Sequence, residues 1–115
     1  MAQNFFKSLS WQFLVTQGGS HPWHSVPFWG HMYASSYFLA LSGALLLLRK
    51  TFLAIRKKTV KTILPEISLL FFSVASLAPA VITVDAPHAT RSLLFFVCLT
   101  LLAAFAFQNI TALFS

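Results

Sequence analysis

The residues whose types and spacing bear on chemistry are four histidines, one aspartate and one arginine. His21 and His24 stand three apart in Ser20-His21-Pro22-Trp23-His24-Ser25-Val26-Pro27, with His31 close behind. His88 lies in a second polar stretch, Asp85-Ala86-Pro87-His88-Ala89-Thr90-Arg91-Ser92. Asp85 suits a helix N-cap, and Pro87 then falls in the first turn, where its missing donor costs nothing. His88 and Arg91, three apart, share a helix face. A helix start flanked by an arginine and a histidine is an anion site, and at a bilayer surface the anion is a lipid phosphate or pyrophosphate. A plainer reading stays open, in which Asp85 only caps and Arg91 only stretches to the interface. A metal or haem reading of the histidines has little support. Asp85 is the only carboxylate near them, two prolines disturb helical spacing around His21 and His24, and His31 suits a local hydrogen bond. No metal and no cofactor is therefore expected. Acid–base or nucleophilic chemistry needs a positioned carboxylate or an activated nucleophile. Asp85 already has a capping role, so no catalytic set assembles from this chain alone.

The elements that must position these residues are apolar. Three stretches, 26–48, 63–84 and 92–113, are each about 20 residues long, the length that crosses about 30 Å of hydrocarbon as a helix. The expected fold is an all-α membrane protein with about three transmembrane helices. Only 9% of the 115 residues are charged against 57% hydrophobic, whereas a soluble domain carries about a quarter charged. The net charge of +6 is concentrated, with six of the eight basic residues between positions 49 and 61. Nucleic-acid binders are polar beyond their basic patches, so nucleic acid is not an expected partner and 49–62 reads as a basic cytoplasmic loop. Residues 1–25 and 85–91 then face the extracytoplasmic side. In 1–25, Phe5, Leu9 and Phe13 recur every four residues with Phe6 beside them, which suits a short helix lying in the interface, and Gly18-Gly19-Ser20 breaks it. Trp23, Trp29 and Tyr33 fit an aromatic belt. No signal-peptide pattern is evident.

Other features read as structural. Ser36, Ala40 and Ala44, and likewise Ser76 and Ala80, form small-residue stripes suited to close helix packing. Pro79 should kink or end the second span near its outer end. Glu66, after Pro65, sits favourably in a first helical turn. The single cysteine, Cys98, forms no internal disulfide. Asn109-Ile110-Thr111 matches a glycosylation sequon but lies at the inner end of an apolar span, beyond the reach of that modification.

Several motifs together resemble one stretch of bacterial membrane glycosyltransferases of the protein-mannosyltransferase-like type, which use polyprenyl-phosphate sugars. They are Ser10-Trp11-Gln12-Phe13-Leu14 with the Gly18-Gly19 turn, His24-Ser25-Val26-Pro27, Gly30-His31-Met32-Tyr33, and Asp85-Ala86-Pro87-His88-Ala89-Thr90-Arg91. Trp23 replaces the family's basic residue before His24, and Phe28 replaces the glycine after Pro27. The family's catalytic aspartate lies in a loop upstream of anything matched here, and the family has many more spans. The resemblance implies an internal portion of such an enzyme, inactive alone, in a bacterial inner membrane with its N-terminus outside. It implies that His24, His88 and Arg91 face the donor phosphate, with Asp85 as a structural cap. The partners it implies are membrane lipid, a polyprenyl-phosphate sugar and a second transmembrane chain that completes the enzyme. The alternative is a small three-helix membrane anchor, a haem-carrying subunit of a respiratory complex, or a structural membrane protein. Haem between helices wants ligands within the spans, and a Soret band in the purified protein would favour that alternative.

Overall fold

A computed structural model describes residues 2–18, 28–82 and 90–114. Among these the protein is built of helices: α1 (Ala2–Ser8), a π-helical turn (Gln12–Thr16), α2 (Ala34–Arg56), a 3-10 turn (Val60–Ile63), α3 (Leu64–Ala75), α4 (Ala78–Val81), a 3-10 turn (Thr90–Ser92) and α5 (Leu93–Thr111). Two helices, α2 and α5 with its leading turn, are long and apolar enough to cross a membrane.

The helix expected over 26–48 runs instead over Ala34–Arg56. It begins late because the chain before it is committed elsewhere. The amides of Gly30, His31 and Met32 donate to the carbonyls of Val15 and Leu14 at 2.8–3.0 Å. It ends late because Arg and Lys are good helix formers, so the basic run does not stop it. Lys58, at φ 55, provides the stop. Its amide bonds the carbonyl of Ile55, and that of Thr59 bonds the carbonyl of Ala54, the paired closure of a Schellman motif with lysine in glycine's usual place. Replacing Lys58 by glycine is therefore expected to raise thermal stability modestly, by about 1 kcal/mol, checked by thermal unfolding in detergent.

α2 and α5 make the most extensive contact in the fold. They run parallel. His31, just before α2, stacks on Phe96, Gly43 meets Leu102, and Lys50 lies over Phe105. The seam is lined by Ala40, Gly43 and Leu47 from α2 and by Phe95, Cys98, Leu99, Leu102 and Ala106 from α5, all buried. Ala40 and Ala44 of the expected small-residue stripe lie on or beside this seam, with Ala40 buried and Ala44 half-buried.

The segment expected as one span over 63–84 is two helices. α3 stops at Ala75 and α4 starts at Ala78. Pro79 offers no amide to the carbonyl of Ala75 and its ring crowds that carbonyl, so the ladder loosens into the tighter bond from Leu77 to Val74, 3.2 Å. α3 leaves the basic end of α2, and α4 reaches α1, where the Asn4 side-chain amide donates to the Val81 carbonyl at 3.3 Å. The pair is therefore antiparallel to α2 and α5.

The recurrence of Phe5, Leu9 and Phe13 is a packed face. Phe13 is buried in the core, and Phe5 and Leu9 pack against it. Bulky apolar side chains nevertheless cover the outside of the bundle, among them Phe38, Leu45, Phe71 and Leu101. Only 22% of the apolar window of α2 and 33% of that of α5 is buried. Hydroxyls on α3 and α5 donate to their own backbone, Ser68 to the Leu64 carbonyl, Ser73 to that of Leu69 and Thr100 to that of Phe96, at 2.7–2.9 Å, while the buried hydroxyl of Thr51 in α2 has no hydrogen-bond partner among the described residues.

Candidate functional site

Of the three residues assigned from sequence to a donor site, His24 and His88 lie outside the described residues, as does Asp85, the expected structural cap, and the structure describes Arg91. It is exposed in the 3-10 turn Thr90–Ser92. Ser92 is buried and stands at the N-cap position of α5, seven residues after Asp85.

The imidazole of His31 marks the same end of the bundle. It is held between two rings, Phe13 at 4.9 Å and Phe96 at 4.8 Å, and Phe96 is five residues beyond Arg91. The reading of His31 as a locally hydrogen-bonded side chain is corrected. Its backbone amide donates to Leu14 at 2.8 Å, but its buried Nε2 has no hydrogen-bond partner among the described residues. Burial holds its pKa below the ordinary histidine value, so the neutral ring is favoured. Beside it opens a cavity of about 620 Å³, lined in part by Val15, Trp29, His31, Tyr33, Ser36 and Thr100.

This arrangement has a pH consequence. The folded state resists protonating His31 while the unfolded chain accepts a proton at an ordinary pKa of about 6.5. Below that value the unfolded state binds more protons, so His31 contributes a loss of stability as pH falls and none at higher pH. Thermal unfolding temperature is expected to drop between about pH 7.5 and about pH 5.5, and the drop should shrink in His31→Phe. An equal drop in both would remove His31 as its source.

Two glycines shape this end: Gly18, which the sequence marks as a helix break, and Gly30, whose role the sequence does not show. Gly18 has φ 66, a left-handed conformation, and a side chain there would press on the Trp29 carbonyl at 3.1 Å. Gly30 lies directly on the backbone of Leu14 and Val15. The two together let the π-helical turn and the segment before α2 run against each other.

A second cavity, of about 380 Å³, is almost wholly apolar and lies between the N-terminal layer and α2, α3 and α5, with Leu9, Leu14, Ala44, Leu70, Leu77 and Leu99 among its walls. Cys98 is buried and free. No three of His, Cys, Asp and Glu come together as a metal site among the described residues. Glu66 stands in the first turn of α3, and the Asn109 side-chain amide donates to the Phe105 carbonyl at 2.8 Å within α5. At the end away from Arg91, the basic residues from Arg49 to Lys61 are exposed. Comparison with protein-family models, with curated proteins and with solved structures finds no match.

Proposed function

We propose that the chain is an integral membrane protein crossing the bilayer three times, through α2, the broken pair α3–α4, and α5. In this reading it is an internal portion of a bacterial inner-membrane glycosyltransferase that takes its sugar from a polyprenyl-phosphate donor at the extracytoplasmic face. It carries no catalytic aspartate of its own and works with a second transmembrane chain. The membrane part is supported by the outward apolar surface of α2, α3 and α5, which in water would be an aggregation-prone patch, and by hydroxyls of α3 and α5 bonded to their own helices. α3 and α4 together cover positions 64–81, about 27 Å of helix, enough to cross with the kink at Pro79.

The observation that carries the functional part is an exposed arginine, Arg91, at one end of a bundle that also holds an apolar cavity. Arg91 and the His31 pocket stand at one end of the bundle, and the apolar cavity lies among the same helices. A polyprenyl-phosphate sugar has that division: an anionic head at the membrane surface and a hydrocarbon tail. Arg91 is the residue for the phosphate, with His24 and His88 completing the head site in the same reading.

The test is donor binding by the completed assembly. Arg91→Ala is expected to weaken binding of the lipid phosphosugar about ten- to a hundredfold, the value of one charge-assisted hydrogen bond, with Arg91→Lys losing less. Unchanged affinity in Arg91→Ala removes this role. Orientation is tested separately in a Cys98→Ser background by membrane-impermeant thiol labelling of intact cells. Thr90→Cys should label from outside and Lys57→Cys should not; the reverse pattern overturns the topology and the donor site with it.

A further inference from the structure

The end opposite Arg91 carries most of the chain's positive charge. Arg49 and Arg56 are seven residues apart on α2, so they sit on one exposed face two turns apart, with Lys50 beside Arg49 and Lys57 at the C-cap directly after Arg56, both exposed. Lys58 and Lys61 extend the charge through the turn that follows. Lys58 holds a left-handed backbone conformation, normally glycine's, with a lysine. The chain has two acidic residues in total, and no carboxylate is paired with this cluster among the described residues. Six positive charges in thirteen positions therefore stand exposed with no protein carboxylate against them among the described residues.

The surroundings identify which partner. These cations do not stand on a polar surface. Lys50 Nζ lies 4.7 Å above the Phe105 ring of α5, and the Arg56 guanidinium lies 5.5 Å from the Phe52 ring. Phe52, Ile55, Phe107, Leu113 and Phe114 are exposed around them, Phe114 at 87%. Cations and bare apolar side chains therefore alternate at one level of the bundle. α2, at about 35 Å, is longer than the hydrocarbon layer of about 30 Å, so its last turns emerge at the boundary between acyl chains and headgroups. A nucleic acid or an acidic protein would meet the cations but leave the phenylalanines and leucines in water. A lipid answers both, with its tail against the rings and its headgroup on the charges.

We propose that Arg49, Lys50, Arg56 and Lys57, continued by Lys58 and Lys61, form a binding surface for anionic bilayer phospholipids at the face opposite the donor site. It rests on the chain being embedded in a membrane and not on its having a donor lipid. The surface selects net negative charge, because a zwitterionic headgroup brings its own cation to the cluster.

The experiment reconstitutes the full chain in phosphatidylcholine vesicles with and without phosphatidylglycerol. It reads the relative association of spin-labelled phosphatidylglycerol and phosphatidylcholine with the protein. Preference for phosphatidylglycerol is expected to be about fivefold per engaged cation. It should fall when ionic strength rises from about 0.1 M to about 1 M and the Debye length shrinks from about 10 Å to about 3 Å. The variant Arg49→Gln/Lys50→Gln/Arg56→Gln/Lys57→Gln should lose most of the preference, and the charge-conserving Arg49→Lys/Lys50→Arg/Arg56→Lys/Lys57→Arg should keep it. Should the quadruple variant misfold, the salt titration of the unmodified chain and Lys58→Gln/Lys61→Gln, outside α2, still decide. Equal association of the two lipids with the unmodified chain, or a preference indifferent to salt, overturns the proposal. So does selective capture of RNA with no lipid preference. A chain that leaves phosphatidylcholine vesicles in an alkaline carbonate wash overturns the membrane reading itself. Retention through the wash with no lipid preference overturns this surface alone.

Discussion

Gly43→Val is expected to separate α2 from α5 and to cost the protein most of its thermal stability in detergent. A Cβ built on Gly43 would fall on the carbonyl oxygen of Leu102 and against the backbone behind it. Backbone cannot rotate away as a side chain can, so the helices themselves must move apart. Overpacking a tight contact costs about 1–3 kcal/mol, occasionally more. Here the displacement also loosens the packing of Ala40, Leu47, Phe95 and Leu99 along the same seam. In a bilayer such loss is not recovered by hydrophobic burial, since lipid tails are as apolar as the side chains they replace, and close packing is a main attraction left between the helices. The measurement is thermal unfolding alongside Ala44→Val, one position further along α2. An Ala44→Val loss as large as that of Gly43→Val would mean that close approach at Gly43 is not the cause.

The second large effect is expected at Gly30. Gly30→Ala places a methyl group directly against the backbone of Leu14 and Val15, in the segment where three consecutive amides bond those same carbonyls. To make room the segment must lift from the π-helical turn and break those bonds, at about 0.5–1.5 kcal/mol for each. His31 follows directly, and its place between Phe13 and Phe96 goes with them. The expected signature is rapid amide exchange at Gly30, His31 and Met32 with little change inside α5. Unchanged protection at those amides would show that the segment tolerates the methyl group.

How far the fold was legible follows from which forces act locally. α5 was expected over 92–113 and runs over Leu93–Thr111, because an unbroken apolar run with no proline has one way to satisfy its backbone. α2 differs at both ends. Its start is set by hydrogen bonds to Leu14 and Val15, which are remote in sequence, and its end by a left-handed lysine that carries no compositional signal. Pro79 marked a kink or end late in the second stretch, but that stretch was expected as one span, and its division between Ala75 and Ala78 falls before the proline. The site was less legible. Arg91 could be placed at a helix start, but the ring sandwich around His31 joins three separate segments. Gly43 was passed over for its alanine neighbours. A glycine inside an apolar helix marks close approach only when the opposing backbone is known.

The parallel pairing of α2 with α5 has a consequence for biogenesis. Neighbours that point the same way cannot form as a hairpin, so another element has to cross back before they can meet. The notch at Gly43 therefore stays unfilled while α3 and α4 are being made and closes only when the final helix arrives. If the chain is embedded as proposed, a nascent chain halted before α5 would leave that notch uncovered, so the intermediate, more than the finished protein, is expected to be the form open to proteolysis.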